Sequence, residues 1–378
     1  PIHFPKITVQ NKSDQFVLPS ETATTRNEFL NLLPGSVLRS YGGNAGIAQV
    51  SVDGGRTADV KIIFNNIDLT SPQNGLTDLS QIPIQLLGRS SFKANQDLSQ
   101  GSGTTDGVIH LSPWSHPTGI GIQSSDDNSK MFSLHYSIGN HNHKLNMVGG
   151  INSDPGTHPV YYNGKLIQRE NQYFSQKFMG IRHKFKFKSV WFSDVSYWNS
   201  IQDRGISGLI WSPNIEAFRN DTLSLLYGSL VRVFPKGYIK SKITYRRVGE
   251  NYFDPTFRID SDHISSSLSS RMTGYYSPNS YFTLQSNSGV AQEKVRSTDA
   301  GAHKRDRFFL ATSIHITPLT KTDILTALRY DEYSGFGSAL NYSLKVNQKI
   351  LSGFTLSAST GSSFRVPTFN DLYWIPGG

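Results

Sequence analysis

Beyond Trp114 the chain is written in segments of about ten residues in which apolar and polar side chains alternate, joined by linkers that are short and long in turn. Successive side chains of an extended strand point to opposite faces, so a period of two demands β-strands with one apolar and one polar side. In one segment Phe185, Phe187, Trp191, Val195 and Tyr197 oppose Lys186, Lys188, Asp194 and Ser196. The same pattern sets Ile239, Ile243 and Tyr245 against Lys240, Lys242 and Arg246, and Phe308, Leu310, Ile314 and Ile316 against Ser313 and His315. It recurs with Ile324, Leu328 and Tyr330 against Arg329 and Asp331, and with Leu340, Tyr342, Leu344 and Val346 against Asn341, Ser343 and Lys345. About thirteen such strands are expected. Tight turns fall at 139–143, 234–237, 277–280 and 318–321, and long loops at 151–170, 199–220, 249–262 and 291–305. A soluble antiparallel β-protein with half-buried sheets is one reading, but it has no reason to place every long loop at one end. An outer-membrane barrel does: short periplasmic turns, long outer loops, apolar side chains towards lipid and polar ones towards the lumen.

No run of the sequence approaches the 18 apolar residues of a membrane helix, a test that is blind to membrane strands. With no Cys, a disulfide framework, thiolate metal sites and a thiol nucleophile are excluded. The sequence contains no Gly-x-Ser-x-Gly, His-Glu-x-x-His, P-loop or dinucleotide fingerprint, so no catalytic residue is assigned and an enzyme is not expected. His141 and His143 have no third ligand nearby, and no metal is assigned to them. Asp126, Asp127 and Asn128, with Asp203 or Asp221, offer the oxygen ligands that Ca²⁺ takes; beyond such a loop ion no cofactor is expected. The net charge of +9 is spread over the strands, which fits a lumen lining or lipopolysaccharide contact better than nucleic acid.

Residues 1–113 read differently, as a mixed domain with strands at 50–52, 60–64 and 108–111 and a helix over 25–33, capped by Thr24 or Thr25 and stopped at Pro34-Gly35. Here LPG (33–35), RSYGG (39–43), VSVDGG (50–55), IIFNNIDLTSPQNGLTDLSQIP (62–83) and GSGTTDGVIHL (101–111) resemble, in order and spacing, the plug of TonB-dependent outer-membrane receptors. FRVPTFNDLYW (364–374) resembles the barrel motif of that family, and the texture is nearest to its cobalamin receptors, with Phe64 to Asn66 in place of an Asp-Gly turn.

The resemblance implies a mainly β fold: an N-terminal α+β plug domain over 1–113, inside an antiparallel transmembrane β-barrel of about 22 strands, of which 114–378 is the N-terminal part. An odd count of strands, and an end inside what would be a seventh long loop, lead to the expectation of a further stretch of barrel on the order of 200 residues, in this chain or a second one. The implied activity is TonB-dependent uptake of a scarce large ligand, cobalamin first, across the outer membrane of a Gram-negative bacterium. A ferric-siderophore receptor and a passive porin or adhesin are the alternatives. By the same resemblance Tyr41, Gly43, Asn44 and Ile47 lie on an upward loop that touches ligand, and Gln73 and Asn74 on the neighbouring apex. Ile7, Thr8, Val9 and Gln10 resemble the TonB box, an extended segment able to add to a partner's sheet edge. Gly42, Gly43, Gly54 and Gly55 are expected to supply positive φ in plug turns. Where the family has Arg-Gly pairs, this chain has Asp53-Gly54 and Lys93-Ala94. Either a swapped lock is therefore expected, with Asp53 meeting Lys240, Lys242, Arg246 or Arg329 on the wall, or a looser docking of the plug.

Overall fold

The computed structural model describes residues 15–19, 35–41, 46–93, 98–103, 107–113, 117–125, 128–157, 159–319, 321–351 and 353–375. The first seven strands are β1 (Gln15–Pro19), β2 (Ser36–Tyr41), β3 (Ile47–Val52), β4 (Val60–Phe64), β5 (Ile67–Asp68), β6 (Leu87–Lys93) and β7 (Gly107–Pro113). Five of them form a sheet in the order β1-β6-β7-β4-β5, while β2 and β3 make a separate hairpin. The β4–β7 pair is parallel and the others are antiparallel. The β4–β5 turn explains the Asn-Asn sequence: Asn65 and Asn66 adopt φ of 45° and 67°, the two left-handed positions that a two-residue hairpin turn of the primed type requires. In the 53–55 turn the left-handed pair is Asp53 (φ 49°) and Gly54 (φ 78°), so Gly55, expected to share that role, does not. The helix expected over 25–33 lies outside the described residues.

The rest of the chain builds β8 (Gly119–Ser124), β9 (Lys130–Gly139), β10 (His143–Asp154), the loop strands β11 (Pro159–Tyr162) and β12 (Lys165–Gln168), β13 (Phe174–Phe187) and β14 (Trp191–Gly205). After a second loop hairpin, β15 (Gly208–Leu209) and β16 (Ser212–Pro213), come β17 (Phe218–Phe234), β18 (Gly237–Asp254), β19 (Ile259–Asn279) and β20 (Phe282–Ser297). They are followed by β21 (Gly301–Leu319), β22 (Thr322–Tyr333), β23 (Gly337–Leu351), β24 (Phe354–Gly361) and a short helix α1 (Phe369–Tyr373). Apart from the loop hairpins, these strands form one sheet of thirteen, each paired with its neighbours in chain order from β8 to β24. Its faces are inverted relative to a soluble sheet. Ile243 is 54% exposed on the outside, whereas Arg246 on the inside is 4% exposed, and Leu310 and Phe309 differ in the same way. No helix among the described residues is long and apolar enough to cross a membrane, but a barrel crosses with its strands.

Two expectations fail here. The alternating run from Phe185 to Tyr197 is two strands: β13 ends at Phe187, Lys188 turns the chain with φ 52°, and Trp191 opens β14 directly opposite Phe187. Alternation continues across the turn, which hides it from a count of periods. Residues 249–262 and 291–305 are mostly strand rather than long loops, because β18, β19, β20 and β21 carry 18, 21, 16 and 19 residues. About 9–11 residues suffice to span a bilayer, and continued pairing satisfies the backbone of the remainder. The connections at 155–173 and 206–217 are long, and each contains one of the small hairpins.

Candidate functional site: the plug–wall interface

The first domain packs against the inner face of the sheet, and its core continues into the wall. Ile62, Phe64, Ile67 and Leu79 share one buried cluster with Phe178, Trp198, Leu223, Leu225, Tyr227 and Val248. Phe64 meets the edge of Trp198 at 5.5 Å and 77°, and Asn65 Nδ2 donates to Ser196 Oγ at 2.6 Å. Strands that are polar inside elsewhere thus turn apolar where the plug sheet lies against them.

Beside this contact sits a buried charge cluster. Asp78 caps a 3₁₀ turn, its Oδ1 accepting from Ser80 N at 2.9 Å and from Ala48 N at 3.1 Å. Its Oδ2 accepts from Arg204 Nη2 at 3.3 Å and lies 4.0 Å from Arg219. Arg204 also donates to Ser80 Oγ at 3.1 Å and to Asp221, while Arg219 bridges Asp221 at 2.8 Å and Glu250 at 2.5 Å. The Ser80 carbonyl takes bonds from Gln176 and Gln202, and Gln85 pairs with Asn152 at 2.7 Å. Burial pulls the Asp78 carboxyl upward, but Arg204, then Arg219, and the bonds from Ser80 and Ala48 outweigh it and hold it below its ordinary 3.8. Two arginines of the wall therefore grip one carboxylate of the plug.

The charge swap thus lies at Asp78 and not at Asp53. Asp53 is exposed and forms no ion pair among the described residues; its amide donates to the Gly35 carbonyl at 2.9 Å. Its expected partners point elsewhere: Lys242 donates to Asn66 O, Arg246 to Ser265 Oγ, Arg329 to Asp331 and Leu98 O, and Lys240 lies over Tyr227. Nothing in the sequence distinguishes Asp78 from other turn-capping aspartates, because its partners lie 126 and 141 residues downstream and on two strands.

The 71–75 loop, which carries Gln73 and Asn74, is held from the far end of the chain. Phe369 N donates to Pro72 O at 3.1 Å and Asn370 N to Gln73 O at 2.8 Å. Helix α1 is fixed for this by a capping box between Thr368 and Asp371. Gln73 is buried, Asn74 is exposed with its Oδ1 accepting from Leu76 N, and Ile47 is half-buried at the start of β3. Tyr41 closes β2, while Gly43, Asn44 and the segment Ile7, Thr8, Val9 and Gln10 lie outside the described residues. Of the oxygens considered for Ca²⁺, Asp126 and Asp127 lie outside them too, Asn128 is exposed, Asp203 accepts from Tyr173 OH at 3.2 Å, and Asp221 is saturated by two arginines. His143 stacks on His183 and Phe185.

A plug docked by apolar contact and buried ion pairs against a wall of antiparallel strands, apolar outside and polar inside, defines the class of plugged outer-membrane-type barrels. Residues 91–378 match the family model "TonB dependent receptor-like, beta-barrel", and the chain belongs to that family, whose members are receptors and transporters rather than enzymes. The chain is 24% identical over 393 residues to "Vitamin B12 transporter BtuB" of Vibrio vulnificus, covering 94% of itself and 59% of that protein. Among solved structures it resembles the siderophore receptor PirA of Acinetobacter baumannii (TM-score 0.74, 13% identity, 94% and 62% of the two chains). It also resembles the copper transporter OprC (TM-score 0.76, 12% identity, 96% and 65%). The chain thus spans about three fifths of the length of its relatives.

Proposed function

We propose that the protein performs energy-coupled uptake of a scarce, large ligand across the outer membrane of a Gram-negative bacterium. The observation that carries this reading is the docked plug: a passive channel has no use for a domain locked to its wall by Asp78, Arg204 and Arg219. Energy comes from TonB and its inner-membrane complex, which engages Ile7, Thr8, Val9 and Gln10 by strand addition and draws on the plug. Cobalamin is the ligand favoured by the likeness to BtuB, with Tyr41, Gly43, Asn44, Ile47, Gln73 and Asn74 as the contact set. The ferric-siderophore reading is favoured instead by the fold neighbour PirA. Contact with lipopolysaccharide is supported by a row of facing residues, Arg247, Ser266, Lys294 and Lys304, on the outer side of β18 to β21 above the apolar band.

The test is uptake of labelled cyanocobalamin beside ferric enterobactin, with and without residues 1–12. Loss of one uptake on deletion supports the reading and names the ligand. Equal entry of either with and without the segment would leave a passive pore.

A further inference from the structure

Beside the 71–75 loop a cleft runs between the plug and the wall strands β18 to β22. Asn66, Asp68 and Gln100 line it from the plug, and Lys242, Arg246 and Arg307 from the wall. Seven cationic side chains border the cleft against two carboxylates, Asp68 and Glu293. Both carboxylates are already taken, Asp68 by Lys61 at 2.8 Å and Glu293 by Arg305 at 2.6 Å. Among the described residues Lys242 donates to a neutral oxygen, the Asn66 carbonyl, at 3.3 Å. Among the described residues Arg246, 4% exposed, has one long bond from Nη1 to Ser265 Oγ at 3.4 Å, and its Nε has no acceptor. Arg307 has an Nε without an acceptor among the described residues, while its side chain hydrogen-bonds Tyr333 and its guanidinium lies 5.5 Å from the Phe309 ring.

A buried guanidinium whose N–H groups are not all paired is unfavourable, and with the half-buried Lys242 and Arg307 beside it Arg246 matches the paired oxygens of a phosphate or carboxylate. We propose that this cleft is an oxyanion subsite, in which Lys242, Arg246 and Arg307 receive a phosphate or carboxylate group as it passes between plug and wall. The group belongs either to the cargo or to free inorganic phosphate. The assignment to cargo rests on the uptake reading above; the subsite itself does not.

The experiment is equilibrium dialysis of the whole protein, folded in detergent micelles, against radiolabelled inorganic phosphate. Saturable binding competed by sulfate is expected, weakened roughly tenfold or more by Arg246→Gln with Arg307→Gln. Lys177→Gln, exposed on the outer face of β13, should leave it unchanged. Lys242→Gln serves as the single-site test if the double variant fails to show heat-modifiable, folded barrel. Absence of saturable binding, or equal binding in these variants, overturns the subsite. Excess phosphate that slows uptake of cyanocobalamin or ferric enterobactin assigns the site to cargo, and phosphate binding without such competition assigns it to the free ion. Energy-dependent uptake with no phosphate binding overturns the subsite alone, whereas phosphate binding with no uptake overturns the transport reading alone.

Discussion

Replacing Asp78 by Asn separates charge from shape at the plug–wall contact. The amide keeps an oxygen for the Ala48 and Ser80 N–H groups but loses the charge that faces Arg204. The cluster changes from two cations and three carboxylates (Asp78, Asp221 and Glu250) to two of each, so no buried charge is orphaned. The loss is then that of one charge-assisted hydrogen bond, about 1.5–3 kcal/mol of plug docking. Arg204→Gln runs the other way: three carboxylates are left with Arg219 alone, and Asp221 is only 1% exposed. Breaking a buried pair from the cationic side costs about 3–5 kcal/mol.

Trp198 provides the assay, since its ring is 4% exposed and lies against Phe64 of the plug. With the other four tryptophans replaced by Phe, its emission should shift to the red as urea releases the plug, giving a midpoint for each variant. Because the Asp78 carboxyl is held below 3.8 in the folded protein, its contribution is complete above that value and is lost as pH falls through the depressed one. Docking should therefore weaken below about pH 4, and Asp78→Asn should remove its share of that dependence. Equal midpoints for wild type and both variants, or a larger loss for Asp78→Asn than for Arg204→Gln, would refute the latch.

Gly180 lies under Trp198 so closely that an added Cβ would fall on the indole ring; Gly180→Ala should cost about 1–3 kcal/mol by overpacking and shift the same emission before any urea is added. Asn66→Gly should be tolerated, while Asn66→Ala should lower the midpoint by about 1–2 kcal/mol, since Asn66 holds φ 67° in the β4–β5 turn. On the outer face, Ile243→Lys should cost about 2–4 kcal/mol in vesicles and reduce heat-modifiable barrel, whereas Ser357→Lys, exposed on the inner face of β24, should not.

What could be read from the residues follows from the range of the forces involved. Alternation is local, so the strands of the wall, their lipid-facing Ile243, Leu310 and Leu328 and the inward Arg329 and Asp331 were visible one segment at a time. The turn at Phe64 to Asn66 came from the family resemblance, and its left-handed Asn65 and Asn66 give it the physical reason. Strand length was not visible, because whether β18 and β19 stop at the membrane surface or continue is settled by the pairing of one with the other, from Gly237 opposite Tyr276 to Asp254 opposite Ile259. The latch was hidden by a different cause. Charge swapping was inferred at Asp53 because a family position pointed there, but an exposed left-handed turn leaves a carboxylate hydrated and in need of no partner. Asp78 is drawn into the wall by its backbone, since the turn it caps brings the Ser80 carbonyl against Gln176 and Gln202, and only then does its charge require Arg204 and Arg219. Burial created the demand for the ion pair, and burial is a property of two surfaces that meet from distant parts of the chain.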